Sequence, residues 1–315
     1  MVDADDEFMH DQGSQPDWQE SFFFSWFDAE SDAMGLARIG YRPSNHTADA
    51  LLYTMRNGGV EGGYAKLNTP YSGTPNARQL RVGALEFHLR EPMSKWRLLL
   101  RGRDEVDLTW TALHAPFDFH AEAPPGLYLP SGFADVHMEQ SGRVTGTVRM
   151  SGATYAIDGL GQRDKSWGVR RWSSIERWDW ITVLFSPDFT MNCTQLFSGG
   201  LAYPCGYIFH DGASHAVVEL TVDYRWAGHQ VPCASRIVVS DVSGLRLEIH
   251  GSATAQSCLY KRRLVIQESA SRFEAIVDGR FHTGVGLTEH AWHGGPIGTL
   301  RALPRLLPAI RMIIP

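Results

Sequence analysis

Asp164 lies in a glycine-framed stretch, residues 159–172, that combines arginines, a lysine and two tryptophans between two strand-like regions. The stretch is too aromatic for a surface turn and too charged for a core, which is typical of the mouth of an apolar pocket. Arg163 and Lys165 would lower the pKa of Asp164, whereas burial against an indole would raise it and keep the carboxyl protonated. A protonated Asp164 could donate a proton to a bound ligand. The alternative is a structural ion pair with an arginine stacked on an indole.

A second carboxylate stands between two indoles in the strand-like segment Trp178-Asp179-Trp180. Strand alternation places both indoles on one face and Asp179 on the other. If the indole face lines a cavity, it offers a surface for hydrophobic or cationic groups. If the other face lines it, Asp179 is a candidate buried acid. Core packing of the indoles is the third interpretation.

The aromatic segment 18–28 repeats this combination near the start of the chain. Alternation places Phe22, Phe24 and Trp26 on one face with Asp28, and Glu20 shares that face. The two carboxylates could therefore lie at the two ends of an aromatic cavity wall. An ordinary core strand with exposed ends explains the pattern equally.

Metal and cofactor sites are not predicted. Asp135, His137 and Glu139 alternate on one strand face, but successive positions on a face lie about 6–7 Å apart, which is wide for one ion. Glu289, His290 and His293 lack the HExxH frame. The chain has no GxSxG motif, phosphate-binding loop or dinucleotide fingerprint.

Composition is that of a globular protein, with 43% hydrophobic and 20% charged residues among 315. The net charge of -6, without a basic stripe, argues against a nucleic-acid partner. The acidic N-terminus lacks a signal-peptide pattern, and no apolar run is long enough to cross a membrane as a helix. The cysteines lack metal-type spacing and fit a reducing compartment. We therefore expect a cytoplasmic protein.

Short alternating segments bounded by turn residues predict an all-β protein with about fourteen antiparallel strands. Ser141-Gly142 and Ser151-Gly152 are predicted hairpin turns. This number of strands is more than one small barrel can hold, and we therefore expect two barrels or sandwiches side by side. The predicted organisation is a disordered N-terminus (1–15), a first β-domain (16–175) and a second β-domain with an apolar tail (176–315).

The C-terminal tail departs from the β pattern, because its apolar residues recur at helical spacing. These residues are Leu300, Leu303, Leu307, Ile310 and Ile314. Pro304 and Pro308 argue against a regular helix. The tail is expected to dock over a barrel, with a peripheral membrane contact or a homodimer arm as alternatives.

The segments Glu139–Gly146 and Tyr155–Arg170, the second containing Gly-x-Arg-Asp-x-Ser-Trp-Gly-x-Arg, resemble the carotenoid 1,2-hydratase (hydroxyneurosporene synthase)-like superfamily. The similarity is strongest over residues 133–180. It implies two lipocalin-like β-domains with a hydrophobic pocket at or near their interface. It also implies a metal-free enzyme that hydrates double bonds, cyclises terpenoids or guides pericyclic ring closure. Lys165 departs from the family pattern, which often has histidine there.

These observations predict an acid-catalysed cyclase or hydratase/dehydratase, of hydro-lyase or isomerase type, for a hydrophobic isoprenoid substrate. The acid is expected among Asp164, Asp179 and Asp28. The substrate-binding residues are predicted to be Trp167, Trp172, Trp178, Trp180, Trp26, Phe24, Arg170 and Tyr155. One alternative is a non-catalytic carrier of a hydrophobic metabolite. Another is a pericyclase that uses a hydrogen-bond donor such as Tyr53, Tyr155 or Tyr207.

Overall fold

The computed structural model describes residues 2–12, 15–261 and 263–313, except the side chains of 296, 297, 309–311 and 313. The predicted tail positions Ile310 and Ile314 are therefore outside the described side chains. Strands dominate and all pair antiparallel, which confirms the all-β prediction.

The first β-unit is an eleven-stranded sheet in the described part of the chain. Its strands are β1 (Trp18–Asp28), β2 (Ala33–Arg42), β3 (Thr47–Arg56), β4 (Gly59–Pro70), β5 (Leu80–Val82), β6 (Leu85–Glu91), β7 (Lys95–Leu100), β8 (Glu105–Ala112), β9 (Phe117–Asp118), β10 (Val136–Met150) and β11 (Ala153–Val169). Their order in the sheet is β4-β3-β2-β1-β11-β10-β8-β7-β6-β5, and β9 pairs with β10 beside this path. Short 3-10 turns cover Ala4–Glu7, Pro43–Asn45, Ala77–Gln79 and Trp172–Ser174.

The second β-unit is a closed barrel whose strands follow chain order. They are β12 (Arg177–Ser186), β13 (Phe189–Ser198), β14 (Leu201–His210), β15 (Ala213–Gly228), β16 (Val231–Asp241), β17 (Arg246–Lys261), β18 (Leu264–Val277) and β19 (Arg280–His293). Helix α1 (Gly295–Ile313) follows it. The first sheet ends at Val169 and the barrel begins at Arg177. The domain boundary between residues 175 and 176 stays a prediction.

The long hairpin of β10 and β11 runs through the first sheet and contains most of the charged motif. Its turn is Ser151-Gly152, as predicted, and both residues have positive φ values of 48° and 87°. The predicted turn at Ser141-Gly142 is wrong, because both residues pair within β10. A Cβ at Gly142 would lie 2.2 Å from the Trp110 ring, so the glycine permits a close approach to an indole.

Both β-units have filled interiors. The first sheet encloses a cluster that includes Phe22, Trp26, Trp96 and Trp110, all nearly inaccessible. The barrel encloses an aliphatic cluster around Ile181 and similar residues. A third apolar cluster packs the sheet against the barrel. A ligand would therefore bind between the two units and not inside either one.

The N-terminus differs from the predicted disorder, since residues 2–12 pack against the first sheet. Glu7 is inaccessible and forms a bidentate ion pair with Arg163, with N–O distances of 2.9 and 3.0 Å. Lys165 donates to the carbonyl oxygens of Asp6 and Phe8 and pairs with Glu20 at 2.9 Å. Two buried cations hold this segment through backbone and carboxylate oxygens, which composition alone did not indicate.

Helix α1 continues through Pro304 and Pro308, so the argument against a regular helix was wrong. Ala302 and Leu306 are buried in a cluster with Trp292, and Arg305 donates to Gln267 at 2.6 Å. This tertiary packing stabilises the helix despite two missing amide donors. Within the described residues, no helix has the length and apolar character needed to span a membrane.

Candidate functional site

A cavity of about 670 Å³ lies between the first sheet and the outer wall of the barrel. Strands β1–β4, β10 and β11 form one side, β12, β13 and β17–β19 the other, and α1 borders it. Its lining is largely apolar, with leucines, Phe23, Phe133 and Ile266 among the contributors. Its charged lining residues are Arg38, Arg42, Asp49, Asp164, Arg170, Lys261, Glu268 and Glu289.

Alternation along β11 divides the charged motif between two faces of the sheet. Asp164 faces the cavity, whereas Arg163 and Lys165 point to the N-terminal segment on the other face. Trp167 was predicted to bind substrate, but it shares the face of Lys165 and stacks on His10 with ring centroids 4.0 Å apart. Lys165 and Trp167 therefore hold the N-terminus.

Asp164 is the predicted acid that the structure places in the cavity wall. Arg163 pairs with Glu7 and not with Asp164, so the predicted ion-pair alternative does not apply to that arginine. Burial raises the pKa of Asp164, and the neighbouring Glu139 adds to the rise, while His137, Arg170 and Arg38 oppose it. The carboxyl group is thus a candidate proton donor.

Three predicted indoles line the cavity. Trp178 and Trp180 share the outer face of β12, as alternation predicted, and Trp172 lies beside them with its ring 5.6 Å from that of Trp178. The Trp178 indole donates to Glu289, and the Trp180 indole donates to Glu139 at 2.8 Å. These indoles place aromatic surface beside buried carboxyl groups.

Asp179 lies on the opposite face of β12 and points into the barrel, away from the cavity. It accepts from the Tyr224 hydroxyl at 3.0 Å and lies 2.6 Å from His290 Nδ1. Asp179, predicted as a candidate acid, therefore does not line this cavity, because the indole face of β12 is the one that lines it.

Four other predicted site residues also lie away from the cavity. Asp28 accepts from the backbone and hydroxyl of Ser31 at 2.9 and 2.5 Å, so it stabilises the turn after β1. Phe24 and Trp26 are enclosed in the core of the first sheet. Tyr155 packs against that core and donates to Glu61 at 2.8 Å. Strand alternation correctly grouped Phe24 and Trp26 on one face of β1 but could not show which face of the strand lines the cavity.

A carboxyl pair, Glu268 and Glu289, was missed. They are register partners on β18 and β19 and both line the cavity, so the two carboxyl groups lie side by side. Two ionised carboxylates in such a position repel each other, which favours a proton on one of them. Burial and the adjacent carboxyl raise the pKa of Glu268 well above its ordinary value, and burial raises that of Glu289. The pair therefore retains a proton.

Arg170, another predicted site residue, lines the cavity and begins a hydrogen-bonded chain. Its Nη2 lies 3.1 Å from His137 Nδ1, and His137 Nε2 lies 3.0 Å from Glu139 Oε1. Since the arginine can only donate, the imidazole proton is assigned to Nε2, which donates to Glu139. Burial raises the pKa of Glu139 to about 8 and lowers that of His137 to about 4. Sequence alternation had grouped His137 with Glu139 but did not indicate their burial.

The ligand atoms of His137, Glu139 and Asp164 all lie within 4.8 Å of one another, so this cluster is the cavity's candidate cation site. The donor set suits a divalent ion. However, the Arg170 guanidinium contacts His137 at 3.1 Å and would repel a cation there. The absence of a metal stays a prediction.

Comparisons with known proteins agree with the architecture. A family model described as "Domain of unknown function (DUF7064)" matches residues 3–294. An AttH-like protein from Nitrosomonas europaea is 14% identical, with a TM-score of 0.63 and coverage of 89% of this chain and 94% of that one. Kievitone hydratase from Nectria haematococca is also 14% identical, with a TM-score of 0.63 and coverage of 86% and 88%. CghA is 12% identical, with a TM-score of 0.66 and coverage of 88% of each chain.

No curated protein matches the sequence. At these identities the structural likeness shows the fold. The predicted resemblance to the carotenoid hydratase-like, lipocalin-like double-barrel proteins is confirmed at that level.

Proposed function

Because the chain belongs to the family described as a domain of unknown function, DUF7064, we propose a function from its cavity: acid-catalysed conversion of a hydrophobic, isoprenoid-like substrate. The reaction type is hydration or dehydration of a double bond, or cyclisation. One of the structures similar to this chain is named a hydratase, which accords with this reaction type.

The observation that supports the proposal is the presence of carboxyl groups in the wall of a largely apolar cavity. Asp164, Glu268 and Glu289 all line it. A carrier can bind an apolar ligand in a purely apolar pocket, and burying three carboxyl groups there is costly. Burial raises the pKa of each of these carboxyl groups, which favours the protonated form that a proton donor needs.

We assign the acid to the Glu268–Glu289 pair, with Asp164 as the second candidate. The pair would transfer its proton to an alkene carbon, forming a C–H bond and leaving a carbocation and a carboxylate. In hydration, water attacks the cation and the carboxylate accepts the water's proton. In cyclisation, a second double bond attacks and a neighbouring carbon then returns a proton. Neither route requires a redox partner.

The indoles would stabilise the positive charge. Trp172 and Trp178 present adjacent rings, 5.6 Å apart, on the cavity wall. A cation over a desolvated indole is stabilised by about 2 kcal/mol, and the water-poor surroundings strengthen the effect. Because the Trp178 N–H donates to Glu289, the same residue links the proton donor to the surface that would receive the cation.

Incubation with a panel of linear terpenols in deuterated water tests the proposal. We expect a product that carries one deuterium at a protonated carbon and no such product from a Glu268→Gln/Glu289→Gln double variant. A product without solvent deuterium, formed equally by both proteins, would favour a pericyclase. Tyr53 and Tyr207, predicted donors for that alternative, bond instead to Ser257 and Ser141 at 2.7 and 2.8 Å. Binding without any product would favour a carrier.

We further propose that α1 mediates substrate entry or assembly. Leu300, Leu303 and Leu307 are 65%, 45% and 53% exposed, and Leu303 also lines the cavity. This apolar stripe accords with the predicted peripheral membrane contact or homodimer arm. Vesicle sedimentation of the wild type and of a Leu300→Ser/Leu307→Ser variant distinguishes membrane contact from dimerisation, which sedimentation velocity would report.

A further inference from the structure

Arg170 is a cation of the cavity wall that aromatic rings and hydrogen bonds hold in place. Its guanidinium lies between two aromatic rings, 5.5 Å from the centroid of Phe133 and 5.3 Å from that of Trp172. Nη2 donates to Ser166 Oγ at 2.7 Å and contacts His137 Nδ1 at 3.1 Å. Stacking and hydrogen bonding therefore fix the position of this charge before any ligand arrives.

The contacts of Arg170 do not neutralise its charge. Among the described residues, its side-chain hydrogen-bond partners are a hydroxyl and an imidazole, and it forms no salt bridge. Burial lowers the pKa of His137 to about 4, so the imidazole is neutral. Burial also lowers the pKa of Arg170 to about 10, although the nearby carboxyl groups of Asp164, Glu139 and Glu289 oppose that fall. A buried guanidinium without a salt bridge is stabilised by an anionic ligand that hydrogen-bonds to it.

The surroundings extend the positive potential along one side of the cavity. Arg38 lines the cavity and is close enough to affect the pKa values of both Asp164 and Arg170. The barrel side presents Leu196, Leu259 and Ile266 beside the Glu268–Glu289 pair. The two arginines therefore lie on the sheet side of the cavity, and apolar side chains with the carboxyl pair lie on the barrel side.

We propose that the ligand of this cavity is an amphipathic monoanion, a hydrophobic carboxylic acid whose carboxylate binds Arg170. Both hydrogen bonds of the guanidinium use Nη2, so in the described structure Nη1 is the donor for an oxygen of the incoming carboxylate. A single negative charge fits better than a dianion, because the carboxyl groups of Asp164 and Glu289 also lie close enough to Arg170 to affect its pKa.

The inference rests on the proposed function, since it concerns the substrate of the same cavity. A carboxylate at Arg170 would point the hydrocarbon chain past Trp172 to Trp178, whose indole donates to Glu289. The protonated double bond would then lie along the chain, away from the acid head group. This order of head group, indoles and proton donor explains why one wall carries a guanidinium and another a carboxyl pair.

A matched series of farnesoic acid, methyl farnesoate and farnesol tests the inference by calorimetric titration at neutral pH. We expect wild type to bind the acid at least tenfold more tightly than the ester or the alcohol. Arg170→Gln should bind all three alike, with affinities for the ester and alcohol unchanged. Arg170→Lys should recover part of the preference, and Arg143→Gln, at an exposed ion pair with Asp158, should retain all of it. Thermal unfolding checks that each variant is folded.

Equal binding of acid, ester and alcohol to wild type would overturn the inference and leave the proposed function standing. An acid preference that survives in Arg170→Gln would assign the anion to another cation and also overturn it. Failure of wild type to bind any of the three would count against the isoprenoid cavity itself. The two proposals therefore fail in distinguishable ways.

Discussion

Glu268 and Glu289 face each other across β18 and β19, and the two carboxyl groups lie side by side in the wall of the cavity. Two ionised carboxylates cannot occupy such a site together, so one proton stays on the pair as the pH rises past the ordinary range of glutamate. Pairing of the consecutive strands β18 and β19 creates this arrangement, and closure of the barrel brings Trp178 on β12 against it.

Replacement of either member should remove catalysis without removing binding. Glu289→Gln and Glu268→Gln are each expected to lower kcat by at least about a hundredfold, the usual contribution of a general acid. Ligand affinity should change little, because glutamine has nearly the same shape. Glu274→Gln, on the exposed face of β18, is the matched control. Wild-type turnover in both pair variants would assign the acid to Asp164.

Trp178→Phe should shift the pH dependence of turnover upward. The indole N–H donates to Glu289 and so lowers the pKa of that carboxyl, while burial raises it. Without the donor the pKa rises further, and the protonated form persists to higher pH. The alkaline limb of kcat against pH should therefore move to higher pH in Trp178→Phe. Trp172→Phe, on the same wall, should leave that limb in place, and an identical shift in both variants would count against the assignment.

Glu139 should make the folded protein lose stability as the pH rises. Its pKa is about 8 in the folded state against 4.5 for the free group, so the folded state binds its proton more tightly. This contribution is complete below pH 4.5 and declines through about pH 8, by up to roughly 1.4 kcal/mol per pH unit. Urea unfolding of wild type and Glu139→Gln from pH 5 to pH 8 should show a steeper decline in the wild type, because the other buried carboxyl groups titrate in both proteins. Parallel curves would contradict it.

The ion pair of Glu7 with Arg163 should anchor the N-terminal segment. Both side chains are almost fully buried, so Glu7→Gln would leave a guanidinium without its partner. We expect a loss of about 3–5 kcal/mol in the free energy of unfolding. Asp158→Asn, at an exposed ion pair with Arg143, should cost at most about 1 kcal/mol. A similarly small loss in Glu7→Gln would mean that the segment detaches readily.

Much of the fold followed from local patterns. Alternation predicted the strands and placed Trp178 and Trp180 together on one face, opposite Asp179. The resemblance to double-barrel proteins predicted the pairing of two β-units. The prediction of a turn at Ser141-Gly142 was wrong because a glycine can allow either a tight turn or a close packing contact. Only the position of the Trp110 ring shows that Gly142 allows a packing contact.

The site was less predictable, because its indoles and its carboxyl groups come together through long-range pairing. Glu289 lies 111 residues after Trp178 in the chain, yet the two hydrogen-bond once β12 pairs with β19. Period-two alternation gives the two faces of β11 but does not say which faces the barrel. For that reason the predicted site included Trp167 and omitted Glu268.

Difference infrared spectroscopy tests the central claim most directly, because it detects a protonated carboxyl without a known substrate. At neutral pH, wild type minus the Glu268→Gln/Glu289→Gln double variant should show the carbonyl band of a protonated carboxylic acid, shifted in deuterated water. The band should fade as the pH is raised and the pair loses its proton. Spectra without that band at neutral pH, in a double variant that is folded, would contradict the account.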